Sequence, residues 1–225
     1  KNSGMISIDK TIDTHQKVHF ALIANLSRYD GWNKAEHDIS LDSNIVNKSI
    51  RENPFDNKSE NYSAIGSYER KFSKKGRFLG LKLDYTINSL SGERYNIMNG
   101  QVYESSGDST AQSLDQKTVL LNKSKNLKAS ARFIEPLPMK GFYAQMGLSF
   151  VNARNTSFFN SYEKNVFDNE YSTAISQLSN NYHYNVSALS EQLKLNYKNR
   201  KIDWFVGAKV HQVKLEQINL DSGKM

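Results

Sequence analysis

From Leu79 to Ile87 every second residue is apolar, and the residues between are Gly80, Lys82, Asp84 and Thr86. Such alternation specifies a β-strand with one greasy face and one wet face. It excludes a strand covered on both sides, where Lys82 and Asp84 would be cut off from water. The same period returns along the chain. Val18, Phe20, Leu22, Ala24 and Leu26 mark a strand over Lys17–Leu26. Leu127, Ala129, Ala131 and Phe133 oppose Lys128, Ser130 and Arg132; Phe142, Ala144, Met146, Leu148 and Phe150 oppose Tyr143, Gln145, Gly147 and Ser149. Two later runs carry one exception each: Glu191 interrupts the apolar side of Leu189–Tyr197, and Phe205 stands on the polar side of Ile202–Val210. With a weaker run at Tyr62–Phe72 and a short one at Met5–Lys10, the pattern predicts about eight strands, all-β and antiparallel, running up and down.

The connections alternate too. Thr11–Gln16, Ser73–Gly76, Pro136–Lys140 and Lys198–Lys201 are short, whereas Asp30–Asn61, Ser89–Asn126 and Arg154–Asn181 are long and polar. All the long connections then fall at one end of the sheet, the arrangement of an outer-membrane barrel with short periplasmic turns and long outer loops. Phe20, Phe72, Phe133, Phe142, Tyr197 and Trp204 fall near the short-turn end, where an interfacial aromatic girdle would sit. Soluble antiparallel sheets with one wet face alternate as well. Runs of about ten residues, matching the length that spans a bilayer, and the one-sided loops favour the membrane.

Composition narrows the chemistry. The chain has no cysteine, so disulfides, thiolate metal sites and thiol nucleophiles are excluded. Its net charge is +7, but the lysines and arginines are scattered along the sequence and interrupted by carboxylates, without a basic recognition element, so nucleic acid is not the expected partner. The mean hydropathy is −0.66, and no apolar run is long enough for a membrane helix. A barrel is compatible with that value, because each strand shows lipid only every second side chain.

Three phrases carry a resemblance. Tyr68-Glu69-Arg70-Lys71-Phe72-Ser73-Lys74-Lys75-Gly76-Arg77 is a strand, a basic turn and a strand. Ala131-Arg132-Phe133-Ile134-Glu135-Pro136-Leu137 ends on a glutamate-proline-leucine turn. Leu178-Ser179-Asn180-Asn181-Tyr182 opens a strand that continues through Leu195-Asn196-Tyr197 to Val206-Gly207-Ala208. In order and separation, from Tyr62 onward, these resemble the barrel region of the TonB-dependent-receptor-like outer-membrane proteins of Bacteroidetes. Phe133 and Ile134 depart from that family's tyrosine-threonine pair. The resemblance implies an outer-membrane location and residues 1–225 as part of a transmembrane barrel of about 22 strands. It further implies uptake of a nutrient such as a chelated metal, glycan or peptide. Expected partners are outer-membrane lipid, a plug domain, the energy-coupling TonB complex and a surface lipoprotein. Other readings are a porin, an adhesin or a barrel enzyme, and beyond these a soluble β-sandwich binding module.

No catalytic, metal or cofactor residue is expected. The five histidines lack close metal-ligand spacing, and no nucleophile motif surrounds Ser187, Asn185 and His183, which share a strand face. Lys82, Asp84, Arg132, Gln145, Lys194, Asp203 and Lys209 have the polar parity and are expected to face the lumen. Trp32, Tyr95, Tyr103, Phe158, Phe159, Tyr162, Phe167 and Tyr171 fall in the predicted outer loops, where aromatics either grip a ligand or pack loop on loop.

Overall fold

The computed structural model describes residues 1–41, 44–104 and 108–221. They form one antiparallel sheet of eleven strands with no α-helix, only a 3-10 turn at Ser176–Leu178. The strands are β1 (Asn2–Asp13), β2 (Gln16–Gly31), β3 (Lys34–Leu41), β4 (Asn44–Glu52), β5 (Phe55–Lys71), β6 (Phe78–Tyr103), β7 (Ser109–Pro136), β8 (Phe142–Lys164), β9 (Tyr171–Ala174), β10 (Tyr182–Lys198) and β11 (Asp203–Asn219). Their lateral order is β1-β2-β5-β6-β7-β8-β10-β11; β3 pairs β4, β4 pairs the far part of β6, and β9 pairs the end of β8. The eight strands of the main path are those that the alternation marks. No ladder joins β1 to β11 among the described residues, so the sheet is open there.

The segments expected as long loops are largely strand. Asp30–Asn61 holds the β3–β4 hairpin and the start of β5; Arg154–Asn181 holds the outer part of β8 and β9. Within Ser89–Asn126, β6 and β7 stay paired residue by residue out to Tyr103↔Ser109. The physical reason is that a ladder satisfies backbone groups whatever the side chains, while alternation reveals only strands with one apolar face. The first strand is likewise 12 residues, Asn2–Asp13, rather than the short run Met5–Lys10.

At the other end the connections are tight. Gly76 (φ +90°) and Gly141 (φ +85°) take the left-handed conformation that closes the β5–β6 and β7–β8 turns. A Cβ at Gly141 would lie 2.7 Å from the Lys198 carbonyl oxygen, so the turn also needs glycine for its packing. Lys198 N–H donates to Gly141 O at 2.8 Å and Lys71 N–H to His15 O at 2.8 Å, tying neighbouring hairpins together.

The sheet is a single layer. Ala21 and Leu120 are the only buried hydrophobic residues among those described. The accessible surface is 15902 Å², against ~10,400 Å² for a compact globular protein of 25.7 kDa. A second layer, which a soluble sandwich uses to cover its apolar faces, is absent among the described residues.

Candidate functional site

Register sorts the side chains into two faces, because directly paired residues point the same way. On one face Val18, Tyr68, Leu81, Ala131, Leu148, Glu191 and Val210 make a row across seven strands. The next row outward is Phe20, Gly66, Leu83, Ala129, Phe150 and Leu189. Such rows stack into an apolar band; on β6 it runs from Leu79 to Ile87, ~27 Å along the strand. Its side chains are open to the surroundings: Leu83 is 51% exposed, Leu193 57% and Val206 59%. Gly66, Ala129 and Ala131 leave a shallow apolar depression of about 560 Å³ beside Phe20, Leu83 and Phe150. Glu191 and, where the first row continues onto β1, Lys10 opposite Val18 are the charges in these rows.

Charge bounds the band on both sides. Farther out on the same face, Arg28 pairs with Asp56, Lys58 with Glu60, and Lys117 with Glu93 at 2.8 Å. Arg28 holds the Asp56 carboxyl below its usual range by hydrogen bonding. Toward the tight turns Glu135 accepts from Arg77 Nε at 2.6 Å and Lys74 Nζ at 2.7 Å. Those bonds, Arg77 first, pull its carboxyl down to about 2. Phe72 meets Phe133 edge-on at 6.3 Å, while Phe142, Tyr197 and Trp204 cluster within 4.7–5.9 Å. The expected aromatic ring is thus two clusters, and Phe20 stands apart, opposite Gly66.

The opposite face is polar. Lys82, Asp84, Arg132, Gln145, Lys194, Asp203 and Lys209 all fall on it by register. They do not converge. Arg132 lies over the Phe78 ring at 5.1 Å, Lys194 over Phe205 at 4.8 Å, and Asp203 sits 3.4 Å from Lys198. Asp84 accepts from Thr86 at 3.3 Å. Phe205 is therefore on this face as a platform for a lysine. An amide ladder crosses the same face: Asn25 donates to Asn61, Asn61 to Asn88, and Asn88 to Ser124.

Of the aromatics expected in loops, Trp32 and Phe167 lie in connections, 61% and 95% exposed. Tyr95, Tyr103, Phe158, Phe159 and Tyr162 lie in strands, because β6 and β8 continue where loops were expected. Phe158 and Phe159 point to opposite faces, and Tyr103 donates to Gln101 at 2.8 Å. Tyr95 packs edge-on against Tyr171 at 5.5 Å, and the Tyr171 hydroxyl donates to Asp115. Burial and the neighbouring carboxylates raise both phenols above their ordinary range. This is a packing cluster rather than an open aromatic clamp.

Two histidine pairs escape sequence reasoning because register creates them. His19 Nδ1 is 2.8 Å from Asp9, and His211 Nδ1 is 2.7 Å from Ser190 Oγ. His19 and Ser190 are five strands apart, ~24 Å across the sheet, so no triad assembles. His183 bonds Thr156 at 3.0 Å, and Ser187 accepts from Asn152 at 2.8 Å, so these two do not form a nucleophile–base pair. No group of three or more metal-ligating side chains occurs among the described residues. In comparisons with known proteins, the chain matches no family model and no curated protein.

Proposed function

We propose that this sheet is the wall of an outer-membrane β-barrel, part of a TonB-dependent-type receptor that takes up a nutrient. The observation that carries the barrel half is the exposed apolar band, bounded on both sides by charge and backed by a polar face. Water penalises such a surface: each fully exposed leucine-sized side chain forgoes ~1.5–3 kcal/mol of burial. A bilayer core of ~30 Å covers it without a second protein layer. The tilted strands of a barrel need 9–11 residues to cross, and β6 supplies the nine from Leu79 to Ile87. The open edges of β1 and β11 require further strands in lipid, because unpaired backbone groups there are costly.

The transport half rests on the resemblance of the turn phrases to the Bacteroidetes receptor family. In that reading the polar face, with Lys82, Arg132 and Lys209, looks onto a plug domain or a wet lumen.

Spin labels at cysteines replacing Leu81, Lys82 and Leu83 test the barrel. Lipid contact at 81 and 83 with water contact at 82 is expected; the reverse, or water at all three, removes the reading. Uptake that stops when the proton-motive force is collapsed supports the receptor. Constitutive ion conductance by the whole protein in planar bilayers would instead make it a porin.

A further inference from the structure

The net charge is not spread evenly over the fold. Residues 69–77, 135–141 and 198–203, which hold three of the tight turns, carry nine lysines and arginines against Glu69, Glu135 and Asp203. The rest of the chain holds 21 of the 30 basic and 20 of the 23 acidic residues and is nearly neutral. Nearly all of the +7 therefore sits at one end. Within these segments Lys74, Arg77 and Lys198 are engaged by Glu135 and Asp203. Arg70, Lys71, Lys75, Lys140, Arg200 and Lys201 are exposed and have no carboxylate partner among the described residues.

Apolar groups are interleaved with those cations. Met139 and Ile202, at two turns, are 58% and 56% exposed. Arg70 and Arg77 lie 4.9 and 5.9 Å from the centre of the Phe72 ring, and the Phe142–Tyr197–Trp204 cluster stands behind the Lys140 and Lys201 turns. Free cations, exposed apolar tips and amphipathic rings at the margin of an apolar band match a phosphate-bearing interface.

We propose that the tight-turn end is a docking rim for the phosphate headgroups of an anionic phospholipid leaflet. The proposal rests on the band being lipid-facing. A leaflet fits better than an acidic protein because the six cations are dispersed over three turns along the sheet margin instead of converging on one pocket. The nearly neutral remainder makes the preference one-sided, so the rim would also bias which leaflet the turns occupy.

Trp204 lies in the rim's aromatic cluster and reports on the lipid beside it. Replacing the only other tryptophan, Trp32→Phe, leaves it as the sole fluorophore. The full chain is placed in vesicles of brominated phosphatidylcholine, alone or mixed with brominated phosphatidylglycerol. Quenching by both lipids is expected, with an apparent association roughly threefold or more in favour of phosphatidylglycerol at low salt. That preference falls toward unity at ~0.5 M salt, where the screening length is only a few ångströms. A combined Lys75→Gln, Lys140→Gln, Arg200→Gln and Lys201→Gln variant abolishes the preference and keeps the quenching by phosphatidylcholine. Equal quenching by the two lipids in the unaltered protein overturns the rim and leaves the lipid-facing band intact. Salt-sensitive retention of polyglutamate together with equal quenching would assign the rim to an acidic protein instead. Absence of quenching by either lipid overturns the band and the rim together. If the fourfold variant fails to fold, the salt titration of the unaltered protein decides alone.

Discussion

Strand β6 changes side-chain character within 26 residues. Its near half, Leu79–Ile87, sets apolar side chains on one face and leaves Leu81, Leu83 and Tyr85 exposed. Its far half, Ser89–Tyr103, keeps the same ladder with β7 but has serine, glutamate, tyrosine, asparagine and glutamine at the equivalent positions, with Ile97 the one aliphatic residue there. Backbone pairing is continuous, and only the partner of the side chains changes. In the near half that partner is the surroundings; in the far half it is a neighbouring strand, through Glu93–Lys117 at 2.8 Å, Tyr95–Tyr171 at 5.5 Å between ring centres, and Asn96 donating to Gln116 at 3.5 Å. Hydrogen-bonded backbone can extend a sheet anywhere, so side-chain partition decides which stretch of it lies in which medium.

The sharpest break of this comparison is a charge moved along one face. Leu83→Arg in the band is expected to destabilise the protein in lipid vesicles by ~2–4 kcal/mol. Ser91→Arg, on the same face of the same strand, should change stability by no more than ~0.5 kcal/mol. Denaturant titrations in vesicles measure both. Equal costs would mean that no apolar medium distinguishes the two halves.

Two glycines give the next largest difference. A Cβ at Gly92 in the far half would lie 2.3 Å from Asn57 Oδ1 and 2.5 Å from the Asp56 carbonyl oxygen. Asn57 is 2% exposed and has nowhere to retreat, so Gly92→Ala should cost ~1–3 kcal/mol. Gly66, in the band, has nothing within 4 Å of its would-be Cβ, and Gly66→Ala should be neutral or stabilise by less than ~1 kcal/mol. Hydrogen exchange of β6 and β5 amides distinguishes local loosening at Gly92 from global loss.

The near half was legible because one-sided apolarity leaves a period of two: the runs around Leu22, Leu83, Ala129, Leu148, Leu193 and Val206 each fall within a strand of the main path. The far half was not, because its few apolar residues, Leu90, Ile97, Met98 and Val102, are split between its two faces. Nothing in Ser89–Asn126 separates a paired strand from a loop until Ser91 is found opposite Leu121. Pairwise chemistry was hidden for the same reason. Asn61 meets Asn88 and Asn25 only when three strands take one register, and a slip of one residue would send each amide to the other face. Lys82, Asp84 and Arg132 share a face by register, while their separate neighbours along the strands were not predictable from spacing.

Tyr171 offers a smaller test in the far half. Removing its hydroxyl by Tyr171→Phe takes a donor from Asp115, which Lys164 still neutralises, so ~1 kcal/mol is expected. Its phenol is raised by burial first and by Asp115 second. A group raised on folding stabilises below its unfolded value and loses that contribution as pH climbs through the folded one. Stability should thus fall at strongly alkaline pH, and less so in Tyr171→Phe; ultraviolet titration of the phenolate follows it. An identical alkaline profile in the variant would detach the cluster from stability.

The least effect is expected at the tight turns, where Glu135 joins the β5–β6 turn to the β7–β8 turn through Arg77 and Lys74. Its carboxyl is held at about 2, below the ordinary 4.5, chiefly by the Arg77 hydrogen bonds. The sign follows from linkage: a carboxyl depressed on folding stabilises fully above its unfolded value and gives that contribution up as pH falls through the folded one. The anchor should therefore hold at pH 5, weaken below about 4.5 and be gone near 2. Both partners reach into solvent, so the change is local, read as faster amide exchange at residues 72–77 and 137–142 with the β6 band unaffected. Glu135→Gln should show the acid-state exchange already at neutral pH and no further change on acidification. If acid loosened the band before the turns, the two halves would not be independently held, and the division of β6 into a lipid-partitioned and a side-chain-paired half would fail.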